Sequence, residues 1–234
     1  MGAIIKREVS AYFHSAIAYV VMAVFYFFSG YLFWNLLYFD SSSLTSYVLA
    51  SMFTIILYIL PILTMKLLSE EKKQKTDQAL LTAPVSVWQI VLGKFISAEI
   101  IYLCCMAIYV PMTIVIACFT APQWGILVCS LIGMFLLGSA IIAIGVFVSA
   151  LTESQIVAAV VGIAVGLFIS VLDNIAATVQ IVFIQDVLKS ISFMTRYQNF
   201  YSGLLNIADV VFFLGVIGLF LFFATRVIDR KRWS

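Results

Sequence analysis

Ser69–Lys94 reads SEEKKQKTDQALLTAPVSVWQIVLGK. It opens on charge, closes on an amphipathic stretch, and stands between two long apolar runs. The chain around it is 64% hydrophobic and 10% charged over 234 residues, with a mean hydropathy of +1.15. Soluble domains carry roughly a quarter charged residues, so this chain has too few charges to cover a water-facing surface. The composition dictates an integral membrane protein. Within it, Ser69–Lys94 concentrates the largest block of charge at one point on one face, and such a segment is most simply a docking surface for a soluble partner.

The flanking runs fall into membrane-crossing lengths. A bilayer core of about 30 Å needs roughly 20 apolar residues per helix. Six stretches qualify: 16–38, 47–67, 95–118, 125–150, 155–173 and 207–228. Lys6, Arg7, Lys66, Lys72, Lys73, Lys75, Lys94, Arg226, Arg230, Lys231 and Arg232 then share one side, and only Lys189 and Arg196 take the other. The bias of basic residues toward the cytoplasm makes the first side internal. Both termini are expected there, as an even number of spans requires.

The segments between spans carry their own patterns. Met1, Ile5, Val9 and Phe13 recur every four residues with Tyr12 beside them, and Lys6, Arg7 and Ser10 lie opposite. That spacing predicts an N-terminal helix over 1–13, lying in the interface and feeding span 1 through an elbow. Residues 174–206 separate spans 5 and 6. Ile184, Val187, Leu188, Ile191 and Met194 form a helical stripe there, which predicts one or two short helices on the outer side. Asp186, Lys189 and Arg196 exclude a seventh span, since each would cost several kcal/mol at mid-membrane. The outer connections 40–46 and 120–124 are short.

Chemistry has few places to reside. Cys104, Cys105, Cys118 and Cys129 all fall in apolar runs and read as small hydrophobes in packed helices. The lone His14 reads as an interfacial residue. No histidine, cysteine or acid spacing matches a metal site, and no cofactor is implied. Gly93-Lys94 ends like a phosphate-binding loop, but no glycine stands five residues upstream and Phe95 replaces the required Ser or Thr. The chain therefore carries no nucleotide-binding loop of that kind. A net charge of +2 without a basic stripe excludes nucleic acid as a ligand. No signal peptide is expected, because the first apolar run exceeds a signal core, and Lys6 stands where myristoylation needs a hydroxyl.

Among the acids, Glu99 falls near the inner start of span 3, while Asp173 and Asp209 close span 5 and open span 6 on the outer side. All three are expected to be solvated or paired there. Asp173, Arg196 and Asp209 place opposite charges near one surface and are candidates for an outer gate. As a surface pair they would contribute up to about 1 kcal/mol. Gly162 and Gly166 make a GxxxG pair, which permits close helix approach. Tyr31, Trp34, Tyr38, Trp88, Trp124, Tyr197 and Trp233 read as an interfacial aromatic belt.

Glu70-Glu71-Lys72 followed by Thr76, Leu80-Leu81, Pro84-Val85 and Val91-Leu92-Gly93-Lys94 closely resembles the permease subunits of ABC transporters of the ABC-2 export class. The opening Lys6-Arg7-Glu8 with Tyr12-Phe13, then Ala18-Tyr19-Val20, resembles the branch that includes gliding-motility and copper-site-maturation permeases. Phe200, Gly203 and Asp209-Val210-Val211-Phe212-Phe213 continue the likeness through the tail. Two positions depart from it: Lys75 stands where many relatives carry glycine, and Gln78 where they often carry glutamate.

The resemblance implies an all-α membrane protein of six transmembrane helices, with an N-terminal interfacial elbow helix, a cytoplasmic coupling helix between spans 2 and 3, and short extracellular helices between spans 5 and 6. Residues 1–234 would form a single permease domain. The coupling residues would be Glu70, Glu71, Lys72, Thr76, Leu80, Leu81, Pro84 and Val85, inserted into a groove of a separate ATPase subunit. Glu153, in the inner turn 151–154, would make a second, smaller contact. The implied assembly is a homodimer or heterodimer of permeases in a bacterial plasma membrane, surrounded by lipid, with catalysis left to the ATPase. Three other readings compete. A secondary transporter would show broken helices or midplane charge. An intramembrane enzyme would need the catalytic groups missing here. A force-transmitting membrane complex that moves no solute would use the same machinery.

Overall fold

A computed structural model of the chain describes residues 2–38, 45–73, 86–119, 123–178 and 182–232. Among them every regular element is helical. The elements are α1 (Gly2–Phe13), α2 (Ala16–Tyr38), a π turn (Thr45–Leu49), α3 (Ala50–Thr64), α4 (Lys66–Lys73), α5 (Val87–Met106), α6 (Tyr109–Phe119), α7 (Trp124–Leu151), α8 (Gln155–Thr178), α9 (Val182–Ile191), α10 (Phe193–Tyr201) and α11 (Ile207–Arg232). Six stretches are long and apolar enough to cross a membrane: Ala16–Tyr38, Tyr47–Lys73, Val87–Phe119, Trp124–Leu151, Gln155–Ile175 and Ile207–Arg230. These are the six spans expected, and the chain is a multi-pass, all-α membrane protein. Two boundaries move. Span 2 runs on past a break at Met65 to Lys73, and the span 3 helix begins at Val87.

Span 4 is the centre of the bundle. It is 78% buried, against 22% for spans 1, 5 and 6, which face outward. Lipid tails are as apolar as leucine, so helices associate in a membrane through close packing of small residues and a few polar contacts. The Gly162/Gly166 pair is used in this way inside the chain. A methyl group on Gly162 would sit 2.7 Å from Pro61 Cβ, and one on Gly166 would sit 2.6 Å from the Leu57 carbonyl oxygen. The pair therefore seats span 5 on span 2. Buried tyrosines add hydroxyl-to-carbonyl ties between elements. Tyr102 donates to Met134 O at 2.7 Å, Tyr197 to Leu49 O at 2.6 Å, and Tyr12 to Leu63 O at 2.9 Å.

Span 3 is broken at Ala107–Ile108. Pro111 has no amide to give the Ala107 carbonyl. That carbonyl instead accepts from Val110 N at 3.2 Å, and the Tyr26 hydroxyl donates to Cys104 O at 2.6 Å. The break is a proline effect with its carbonyls satisfied. Residues 107–111 carry no charged side chain, so the break itself brings no charge to this point of the span.

The short helices differ in detail from their sequence patterns. In α1 the buried residue is Tyr12, with Ile4, Ile5, Glu8 and Val9 half-buried and Phe13 exposed. The inward face is thus shifted from the expected stripe, because α1 lies against α5, where Gly93 leaves room for it. A methyl group on Gly93 would sit 2.9 Å from Ile4 Cγ2. Met1 lies outside the described residues. Between spans 5 and 6 there are two helices, because Ser192 interrupts the run and caps α10 by accepting from Thr195 N at 3.0 Å.

Candidate functional site

The two helices that flank residues 74–85 are anchored to the bundle with unusual thoroughness. α4 starts afresh after the break at Met65, so the amides of its first turn lack helical partners. Ser149 on span 4 supplies one: its hydroxyl oxygen accepts from Leu68 N at 3.0 Å and Ser69 N at 3.1 Å, and its hydroxyl donates to Met65 O at 3.2 Å. The buried Lys72 ammonium donates to Ala150 O. α5 begins at a capping box, with Ser86 and Gln89 exchanging side-chain-to-backbone hydrogen bonds at 3.3 Å each.

Across these helices lies a four-charge cluster. Lys94 is fully buried and its ammonium meets Leu67 O at 2.6 Å, Glu71 Oε2 at 2.9 Å and Glu8 Oε2 at 3.3 Å. Arg7 closes the other side, reaching Glu8 Oε1 at 2.5 Å and Glu71 Oε1 at 2.7 Å. Two cations and two carboxylates balance. Withdrawing an ammonium from water costs several kcal/mol, and the two carboxylates and the carbonyl offset that cost. The hydrogen bonds that Arg7 donates to Glu8 hold its guanidinium above its already high ordinary pKa, against the opposing effect of burial. Burial pushes the Tyr12 hydroxyl well above its usual value, which keeps it a donor to Leu63 O. The cluster therefore ties α1, the end of span 2 and the start of span 3 into one block.

The expected site residues distribute as follows. Glu71 and Lys72 point into the chain, and Glu70 pairs with Lys66 at 3.3 Å. Thr76, Leu80, Leu81, Pro84 and Val85 lie outside the described residues. Glu153 is exposed in the turn between α7 and α8. At the far end of the bundle Arg196 Nη1 bonds Asp209 Oδ1 at 2.8 Å, Asn199 Nδ2 bonds Asp209 Oδ2 at 2.7 Å, and Phe212 lies 4.3 Å beneath the guanidinium. Asp209 is only 3% exposed, so this pair is not the solvated surface bridge expected. Asp173 does not join it. Its Oδ2 accepts from Met194 N at 3.3 Å, which places a carboxylate at the N-terminus of α10. Glu99 also departs from expectation. It is 7% exposed, and neither oxygen has a hydrogen-bond partner. Twelve residues of helix precede it from Val87, about 18 Å at 1.5 Å per residue, so it stands well inside the helix and not at its start.

Sequence reading passed over Glu8 and Lys94 as partners. The available signal was an acid within an apolar stripe and a lysine opening an apolar span.

The description of ABC-2 type transporters matches residues 1–199. The chain belongs to that family. ABC-2 permeases are non-catalytic transport subunits that generally pair with a nucleotide-binding ATPase, and the six-span bundle suits that role. Among the described residues no group of histidine, cysteine and acid side chains could hold a metal ion. No curated protein matches the chain.

Proposed function

We propose that the chain, as one permease domain over 1–234, is the transmembrane subunit of an ATP-driven exporter and couples hydrolysis in a separate subunit to movement of a substrate. The observation that carries this reading is the buried Lys94 cluster, which ties together the two helices that flank residues 74–85 in the chain. A docked segment transmits force only if its two ends are fixed to the elements that must move. Here one end is fixed through Glu71, Lys72 and Ser149, the other through Lys94, and both are tied to α1. Residues 74–85 would form the coupling helix, with Leu80 and Leu81 in the ATPase groove and Glu153 as the smaller contact. α1 would be the interfacial elbow, and α9 and α10 would lie on the extracellular side. Asp173 and Asp209 would hold α10 onto spans 5 and 6 as a gate element. Two such subunits, identical or not, would pair in a bacterial plasma membrane. The motifs at Lys6-Arg7-Glu8 and Ala18-Tyr19-Val20 favour the gliding-motility and copper-site-maturation branch.

Changing Leu80 and Leu81 together to Asp is expected to release the ATPase in a detergent pull-down while the permease keeps its size-exclusion profile. Undiminished co-purification of the folded variant would count against docking at this segment. Orientation has its own test. In a cysteine-free background, a cysteine at Gln185 should react with an impermeant thiol reagent in intact cells, and one at Ser234 only after lysis. Labelling of both without lysis would overturn the proposed sidedness.

A further inference from the structure

Spans 5 and 6 each pack on span 4 but hardly touch each other. The cleft between them, roofed by α9 and α10, encloses a cavity of about 460 Å³. Val165, Ile169, Phe193, Phe212, Val216 and Phe220 form its walls. Phe168 and Ile191, also on its lining, are 62% and 54% exposed, so the cavity opens sideways toward the surroundings of the bundle. The one acid on its edge, Asp173, is turned to the N-terminus of α10.

An apolar void of this size has three possible contents. Water needs two to four polar partners, and among the lining residues only Asp173 and Ser192, at one edge, carry polar side chains, so the rest of the cavity stays dry. Left empty, the lining would forfeit its dispersion contacts. Hydrocarbon fits: the volume is that of a ligand-sized site, and the cleft opens where a bilayer would supply acyl chains. Charge selects the head. Lys189 is exposed on α9, beside the cavity-lining Leu188 and two residues before Ile191. Arg196 is not free for a ligand, being held by Asp209 and by Ser190 O at 2.6 Å.

From this geometry we infer that the cleft between spans 5 and 6 is a binding site for a lipid with an anionic phosphate head, one acyl chain filling the cavity and the head resting at Lys189. The site does not depend on ATP coupling and stands or falls separately from it.

The test uses the full chain in vesicles containing phosphatidylglycerol with a photoactivatable diazirine on one acyl chain, against phosphatidylcholine carrying the same chain. Labelled peptides should map to 165–172 and 212–220 above the other spans. Ile169→Trp, which fills the cavity, should reduce that labelling about tenfold by removing the volume. Val216→Trp from the opposite wall does the same if the first variant does not fold. Lys189→Glu should lower labelling from phosphatidylglycerol about fivefold, the weight of one basic residue at an anionic surface, and leave phosphatidylcholine labelling unchanged. Even labelling over all six spans, insensitivity to both tryptophans, or crosslinking of 165–172 to a second copy would overturn the site. Equal labelling by the two lipids would overturn the choice of an anionic head.

Discussion

Replacing Lys94 with methionine is expected to destabilise the bundle by about 3–5 kcal/mol, the range for removing one partner of a buried ion pair. Methionine keeps the length and packs among apolar neighbours, so the loss isolates the charge. Without the ammonium, Glu8 and Glu71 remain largely buried, at 12% and 17% exposure, and lose the buried cation that sits between them. Leu67 O also loses its buried donor. The measurement is thermal unfolding in a fixed detergent. A triple change, Lys94→Met with Glu8→Gln and Glu71→Gln, should recover much of the lost stability, because a neutral replacement of a whole buried cluster is often tolerated where a half-broken one is not. A single variant as stable as the parent would show that the cluster is solvated and braces nothing. If the cluster transmits force, the triple variant should bind the ATPase yet hydrolyse without transport, since docking is intact and the tie to α1 is gone.

The parts of this protein that could be read from sequence are those written in local pattern. Six apolar runs of about 20 residues give six spans, because a bilayer sets helix length directly. The stripe around Leu188 gives the short helices between spans 5 and 6, whereas the cap at Ser192 that divides them was not read from the sequence. What escaped is tertiary. The acids Glu70 and Glu71 follow span 2 in a run rich in charge, and nothing local says that Glu71 turns inward to meet Lys94 and Arg7. That contact joins elements far apart along the chain, and it exists because Gly93 lets α1 approach α5. The same approach moved the inward face of α1 to Ile4, Glu8 and Tyr12. The start of the span 3 helix was missed as well: Ser86 and Gln89 form the capping box that begins it eight residues before the apolar run expected from 95. The pairing of Arg196 with Asp209 was legible as opposite charge near one end; its burial, and the diversion of Asp173 to cap α10, were not.

That burial changes the size of the effect expected at the far end. Asp209→Asn should cost on the order of 3 kcal/mol, well above the figure for a surface bridge. Asp209 now accepts from Arg196 on one oxygen and from Asn199 on the other. Asparagine offers one acceptor oxygen, so its amide nitrogen must face one of these two donors. Its neutral head also leaves the guanidinium, 19% exposed, with Ser190 O and the Phe212 ring but no counter-charge among the described residues. A carboxylate in the first turn of α11 is further favoured by the helix dipole, and that contribution is lost too. α10 is held to span 6 through these bonds, so the consequence is local loosening. Hydrogen exchange over residues 193–206 should accelerate while exchange in span 4 stays slow. Asp173→Asn is the control: it retains an acceptor for Met194 N and should cost about 1 kcal/mol or less. ATPase co-purification should be unchanged in both, because the cluster around Lys94 lies at the opposite end of the bundle. Unaltered exchange over 193–206 in Asp209→Asn would show that packing of Phe193, Tyr197 and Phe200, all buried, holds α10 in place without the ion pair. The gate role would then fall, because a contact whose removal releases nothing has no closed state to hold.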